Sequence, residues 1–337
     1  MWPMCVSLSV VVPTYNRSGR LRQCLASLLA QKVGCKWEII VIDDFSEDET
    51  AVVAAEFAAR YPNVQYIRNL ENLGRCKTRN KGIEIAAGEL IVMIDDDVTV
   101  DAGCLEAHLS IHRDFDFARV AVMGNVRYAP ECIRGSNFGR YLQSRYLGFR
   151  IGRVRDRDDL PAKHFGTLNC SFRREDAIKV GMLDERFRYY GGEDVDFAFR
   201  LKRRGVRIVF CERAKGEHVD IVTLSRYKEK ILQTARNALK IMATEAPELV
   251  ESSGYRYLVP YNRCRDSVTM RLLKCFVPFL MSRRIVRCAE RFVGWSDSMP
   301  MLYWAWVYHY LIAGWTIAGM AEPASDRETV RYGKSGQ

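Results

Sequence analysis

The chain has 337 residues, 48% hydrophobic and 27% charged, a globular balance that excludes a disordered polymer and leaves room for one large domain with appendages or two small ones. Lys and Arg outnumber Asp and Glu by 51 to 41, so the formal charge is +10 and an anionic partner is expected: a nucleotide, a phospholipid or a nucleic acid. The 11 cysteines are odd in number and form no C-x-x-C pair, which argues against a disulfide framework or a zinc site and predicts small core residues in a reducing cytoplasm.

No basic region precedes the apolar run "VSLSVVVP", and Pro13-Thr14-Tyr15-Asn16 does not resemble a cleavage site, so no targeting segment is expected. "LSVVVP" (8–13) predicts a strand. The helix after it places Leu21, Cys24, Leu25, Leu28 and Leu29 on one face. "WEIIVID" (37–43) predicts a second strand, and Ser46 three residues before Glu49 predicts a capping box opening the helix "ETAVVAAEFAAR". A strand at 64–69, a helix at 75–87 and a strand at 89–95 continue the alternation. Near-continuous apolar strands separated by helices indicate a mostly parallel, Rossmann-like α/β sheet covered on both faces, with ligands at the carboxyl ends of its strands.

Residues 113–165 are less regular: "VAVMGNVRY" (120–128) is followed by a Gly- and Arg-rich stretch with the composition of a loop. "VRIVFC" (206–211) predicts one more strand and 223–243 a helix, with two further apolar segments reaching about residue 321.

Three polar loops fall just past strand ends: Pro13 to Asn16, Asp43-Asp44 and Asp95-Asp96-Asp97. In "LIVMIDDDV" (90–98) an apolar strand runs straight into three carboxylates, which do not all remain ionised without cations nearby. Mg2+ or Mn2+ bridged to phosphate oxygens supplies that charge, whereas the bland reading is a solvated acidic turn. In "YYGGEDVDFAFRLKRRG" (189–205), Gly191-Gly192 permits a tight turn before a helix on which Asp196 and Arg200 pair at i, i+4. Glu193 and Asp194 then stand at the helix start, as a general base beside a substrate or, more plainly, as an N-cap supplied by Asp194. His218 follows the strand at 206–211 and is either structural or a ligand.

The segments "VVPTYNR" (11–17), "VIDDFSEDET" (41–50), "NLGRCKTRNKGIEIAAGELIVMIDDDV" (72–98) and "NCSFRREDAIKVGMLDERFRYYGGEDVDFAFRLKRRG" (169–205) together resemble family-2 glycosyltransferases of the GT-A fold, over about residues 6–245. The resemblance implies that Pro13 and Tyr15 hold the nucleotide base and that Asp44 accepts a hydrogen bond from uracil N3. A fixed acceptor there discriminates against cytosine, whose N3 is itself an acceptor. It places Arg79 near the base or diphosphate, Asp95 and Asp96 on ribose and on water around the metal, and Asp97 on the metal, with Asp95 and His218 as further metal candidates. The "GGED" element is similar to one in galactosyl- and N-acetylgalactosaminyl-transferring members, implying Asp194 as catalytic base and Glu193, with Gly192, on the acceptor. The implied reaction is a single displacement with inversion, from a UDP-sugar to a glycan or lipid-linked acceptor, with Mn2+ or Mg2+ as Lewis acid. Two places depart from the family's habit: "FS" at 45–46 where "GS" is usual, and "MLDERF" where "GFDERF" is common.

These readings divide the chain into a catalytic domain at 1–245, with a nucleotide half to about 112 and an acceptor half beyond it, and a helical basic and aromatic region at 246–337. Residues 263–291 carry eight Arg and Lys against Asp266 and Glu290, interleaved with Leu, Phe, Val and Met, as a helix on an anionic membrane surface would. "MLYWAWVYHYLIAGWTIAGMA" (301–321) admits three readings: a helix packed on the catalytic domain, an interfacial helix, or a span weakened by its Trp, Tyr and His309. The expected location is the cytoplasm, peripheral to the membrane. A nucleic-acid partner is not expected, because the basic excess lies on an apolar-rich segment. The alternatives kept are transfer to a polyprenyl phosphate or a protein, and, more remotely, nucleotide-sugar binding without catalysis. A pyrophosphorylase is disfavoured because "TYNRSGR" lacks the glycines of a triphosphate loop.

Overall fold

The computed structural model describes residues 7–116, 119–146, 156–252, 261 and 267–323. In chain order the elements are β1 (Leu8–Thr14), α1 (Ser18–Leu29), β2 (Trp37–Asp43), α2 (Thr50–Arg60), β3 (Val64–Arg68), α3 (Arg75–Ile85), β4 (Leu90–Ile94), β5 (Val98–Val100), α4 (Cys104–Asp114), β6 (Val120–Tyr128), α5 (Pro130–Ile133) and α6 (Asn137–Arg145). They continue with β7 (Asn169–Arg173), α7 (Arg174–Lys179), α8 (Glu193–Arg203), β8 (Arg207–His218), α9 (Leu224–Arg236), α10 (Ala238–Glu245), α11 (Pro247–Ser252), α12 (Val268–Leu280), α13 (Arg283–Ser296) and α14 (Ala305–Ala321). One sheet takes the strands in the order β3-β2-β1-β4-β7-β6-β8-β5.

The first four strands in that order are parallel, as their alternation with helices requires. Beyond β4 the sheet changes character: β7 runs antiparallel to both β4 and β6, β6 and β8 are parallel, and β5 closes the edge antiparallel to β8. Alternate side chains of each central strand feed opposite faces. Val11, Ile91 and Met93 join a core under α3 and α8, while Val10, Val12, Leu90, Val92 and Ile94 join a second core with Leu21, Leu25 and Leu28 of α1 and Leu105 and Leu109 of α4. Each such side chain contributes about 1.5–3 kcal/mol by leaving water. Helix α3 lies so close to β1 that a β-carbon on Gly82 would collide with the Val11 side chain.

Several local expectations give way to tertiary contacts. Ser46 does not cap α2: its hydroxyl accepts from the Asn16 amide and its own N–H donates to Asp43 Oδ1, while Asp48 accepts from the Thr50 amide at the helix start. Strand β8 is twice the length read from "VRIVFC", because residues 215–218 pair with β6 and 216–218 also with β5, so His218 ends a strand instead of following one. Both departures from family habit fall at left-handed backbone. Phe45 has φ 68° and Met182 φ 57°, so a conformation that suits glycine is kept without it. The Arg68 guanidinium lies 5.0 Å from the Phe45 ring centroid and shields it. Five cysteines are buried as expected, but Cys275 and Cys288 are exposed. Residues 147–155 of the Gly- and Arg-rich stretch lie outside the described residues.

The C-terminal helices form a third core, in which Val307, Leu311 and Trp315 of α14 pack with Phe138 and Tyr141 of α6, Leu232 of α9 and Val286 and Val293 of α13. That is the packing alternative for 301–321. Among the described residues no helix is long and apolar enough to cross a membrane.

Where the sheet turns antiparallel, a polar cluster is sealed inside it. His108 Nε2 lies 2.8 Å from Asn169 Oδ1, and Ser171 Oγ lies 3.0 Å from His108 Nδ1 and 2.9 Å from His112 Nε2. Burial lowers His108 to about 4 and His112 to about 3, so both are neutral in the native state. An unfolded chain protonates them near pH 6.5, so their contribution is complete above that pH and is lost as pH falls. Urea unfolding followed from neutral pH down toward pH 4 is expected to show the wild type losing up to about 2.7 kcal/mol per pH unit more steeply than a His108→Gln/His112→Gln double variant. Equal slopes would mean that the two rings are not buried neutral.

Candidate functional site

A cleft of about 1040 Å³ opens at the carboxyl ends of the parallel strands. Pro13, Tyr15, Asp44, Arg79, Asp95, Asp96, Asp97, Glu193, Asp194 and His218 all line it. Gly192 is the exception. It ends the turn before α8 at φ 93°, and a β-carbon there would come within 2.7 Å of Ala238 Cβ, so its lack of a side chain serves packing while Gly191 faces the cleft.

The three acids after β4 are divided among different partners. Asp95 accepts from Arg79 Nη2 at 2.6 Å. Asp96 accepts from Thr14 Oγ1 at 2.7 Å and from Arg17 Nη1 at 3.3 Å. Asp97 Oδ2 is paired with Arg17 Nη1 and lies 3.4 Å from His218 Nε2. Backbone register explains that meeting: β5 begins one residue after Asp97, Val98 pairs with His218 across the sheet, and Val219 N donates to the Asp97 carbonyl. Burial pushes the Asp96 carboxyl up to about 7, with Arg17 opposing and Asp97 adding. Burial acts upward on Asp97 too, but His218 and then Arg17 hold it well below the usual carboxylate range.

Arg17 and Asp220 went unread in the sequence. Arg17 closes the "VVPTYNR" segment, and its second nitrogen lies 3.7 Å from Asp220 Oδ2. Asp220 is two residues beyond His218, a spacing that returns to one side of an extended chain. The expectation that adjacent acids need a metal for neutrality is therefore only half the account, since Arg17 and Arg79 already supply two positive charges.

Asp44 is more occupied than a dedicated base acceptor. Its Oδ1 accepts from Leu73 N and Asn69 Nδ2, and its Oδ2 from Gly74 N, which fixes the loop before α3 and leaves one lone pair on Oδ2.

On the opposite wall, α8 begins without a side-chain cap, so Asp194 is not an N-cap. Its Oδ1 accepts from Thr167 Oγ1 at 2.8 Å, in the segment leading into β7. Burial and the neighbouring Glu193 push Asp194 up to about 7, with Arg79 and the Thr167 hydroxyl opposing. Glu193 is buried and bound to Arg75 Nη1 at 2.8 Å, and its Oε2 has no hydrogen-bond partner. The Asp196–Arg200 pair forms as spaced, at 2.7 Å.

No cluster of three or more His, Cys, Asp or Glu side chains gathers for a metal among the described residues. Asp97 and His218 nevertheless fit a divalent cation that completes its shell with phosphate oxygens. Asp97 Oδ1 and His218 Nδ1 are buried without hydrogen-bond partners, and a carboxylate with an imidazole suits Mn2+.

Comparison with known proteins agrees with this architecture. The model for glycosyl transferase family 2 matches residues 9–181, just over half the chain, and one described as the N-terminal domain of galactosyltransferase matches 157–224. Chondroitin synthase of Escherichia coli is 27% identical over 84% of this chain, which spans 44% of that protein's length. An uncharacterised protein of Mycobacterium tuberculosis is 30% identical over 75% of this chain and 81% of its own. The mannosyltransferase PcManGT from Pyrobaculum calidifontis, in complex with GDP-Man and Mn2+, superposes with a TM-score of 0.58 at 19% identity, covering 91% of this chain and 85% of that one, a likeness of GT-A fold. The chain belongs to glycosyl transferase family 2.

Proposed function

We propose that this glycosyltransferase moves a sugar from a UDP-sugar to a glycan hydroxyl with inversion, using Asp194 as the general base. The observation that carries the reading is the pairing of two walls in one cleft: Asp97 and His218 with open buried donors on one side, and a raised, uncapped Asp194 on the other. Pro13, Tyr15 and the remaining lone pair of Asp44 hold the uracil, and Asp95 and Asp96, fixed by Arg79 and Thr14, hold the ribose side. Asp194 takes the proton from the acceptor oxygen as that oxygen attacks the anomeric carbon. The bond from that carbon to the diphosphate oxygen breaks, and the nucleoside diphosphate leaves with the electron pair. Asp97 and His218 would hold Mn2+ or Mg2+, which when bound supplies Lewis-acid stabilisation of the departing charge. Glu193, locked to Arg75, orients the acceptor.

The enzyme works from an anionic membrane surface on which a lipid-linked acceptor is presented. Leu272, Phe276 and Phe279 form an i, i+4, i+7 stripe on α12, with Phe279 75% exposed, and Trp295, Trp304 and Trp306 are exposed nearby in sequence. The exposed Arg271, Arg283, Arg284, Arg287 and Arg291 accompany them, and this charge favours anionic lipid over a second copy of the same cationic face.

Four outcomes are expected. UDP-sugar turnover rises with pH to a plateau above about 7, where Asp194 is ionised, and falls about tenfold per unit below it. Asp194→Asn lowers kcat by about 10²- to 10⁴-fold and leaves UDP affinity intact; a flat pH profile and an active Asn variant would remove Asp194 from the role. Asp97→Ala and His218→Ala weaken Mn2+ binding in the presence of UDP, followed by electron paramagnetic resonance, by more than the roughly 10- to 100-fold that loss of a supporting partner costs. Unchanged Mn2+ affinity would move the metal elsewhere. The protein floats with phosphatidylcholine–phosphatidylglycerol vesicles but not with phosphatidylcholine alone, and Phe276→Ser/Phe279→Ser abolishes flotation; a protein that instead dimerises through this face would refute attachment.

A further inference from the structure

The cations of the cleft are mostly spoken for. Arg17 is bound by Asp96 and Asp97, Arg75 by Glu193, Arg79 by Asp95 and Arg226 by Asp220. Lys230, on α9, also lines the cleft, but among the described residues no carboxylate lies within ion-pairing distance of its Nζ. It rests instead over the Tyr190 ring, 4.9 Å from the centroid, and the Arg75 guanidinium lies 4.9 Å from the same ring. A half-buried Lys that lacks a counter-charge carries a cost, and the cost is recovered when an anion arrives. Burial, then Arg226, holds the Lys230 ammonium down to about 8, while Asp97 and Asp220 pull it upward and Arg75 opposes them. The two carboxylates whose field reaches Lys230 are thus Asp97, half of the open donor pair, and its neighbour Asp220.

We propose that Lys230 is a binding residue for the diphosphate of the donor, its ammonium meeting the phosphoryl oxygens from the α9 wall, across the cleft from Asp97 and His218, which would hold the metal. The inference rests on the nucleotide-sugar reading above and adds a second, metal-independent hold on the leaving group. Tyr190 keeps the lysine stem in place, and α9 fixes its height in the cleft. An ammonium there stabilises the negative charge that collects on the departing diphosphate, a charge-assisted contact of the stronger kind.

The experiment compares UDP with uridine, each titrated calorimetrically into wild type, Lys230→Met and Lys230→Arg with Mn2+ present. Expected are a loss of about 10- to 100-fold in UDP affinity for Lys230→Met, unchanged uridine affinity, and recovery of most of the UDP affinity in Lys230→Arg. Lys230→Met binding UDP as wild type does would overturn the proposal, and so would an equal loss for UDP and uridine, which marks a structural role. A wild type that binds neither ligand overturns the nucleotide-sugar reading itself, an outcome separate from both.

Discussion

Asp96 and Asp97 are buried side by side at the end of a strand, and Arg17 answers both of them from the loop after β1. Removing one partner from such a buried charged group leaves the others uncompensated, a loss of about 3–5 kcal/mol. The rest of the cleft is arranged around that requirement. The loop after β1 must reach over the end of β4, which parallel neighbours β1 and β4 allow, and Thr14 must give its hydroxyl to Asp96. Arg79 meets the third acid from α3, which sits close enough because Gly82 lets the helix settle on β1.

The change of strand direction past β4 does the remaining assembly. A wholly parallel sheet would carry each new loop to the same rim in sequence order. Running β7 backward brings Thr167 and Leu168 to the acids, and pairing β5 with β8 sets His218 beside Asp97 although 121 residues separate them in the chain. The ends that hold the cleft's chemistry are therefore hydrogen-bonded strand termini on one wall and a helix start on the other, and neither depends on a long free loop.

Much of this was legible in the sequence, because apolar runs into polar loops announce strand ends and the acids stand on those ends. The β1–β4 half needed only periodicity, and the ordered motifs carried the rest of the site. What escaped depended on partners distant in sequence. Ser46 has the local spelling of a cap, but Asn16 and Asp43 claim it. "CERAKGEH" looks too polar for a strand, yet pairing on both sides extends β8 through it. Arg17, Asp220 and Lys230 are ordinary charged residues until the fold shows which of them have a counter-charge. Phe45 and Met182 depart from the family's letters while keeping the backbone those letters encode.

Helix α9 is shared between two surfaces. One side carries Lys230 and Arg226 into the cleft, and the other receives α14 so closely that Gly319 lies against Leu232 and Ala235, with Arg236 tied to Glu322 at 2.5 Å. A close-packed contact of this kind transmits displacement instead of absorbing it. A ligand that displaced the Trp304–Trp306 end of α14 would therefore act on the helix that carries Lys230. Thermodynamic linkage would make such an effect reciprocal: a surface that tightened the cleft's grip on its ligand would itself be gripped more tightly by the ligand-loaded protein.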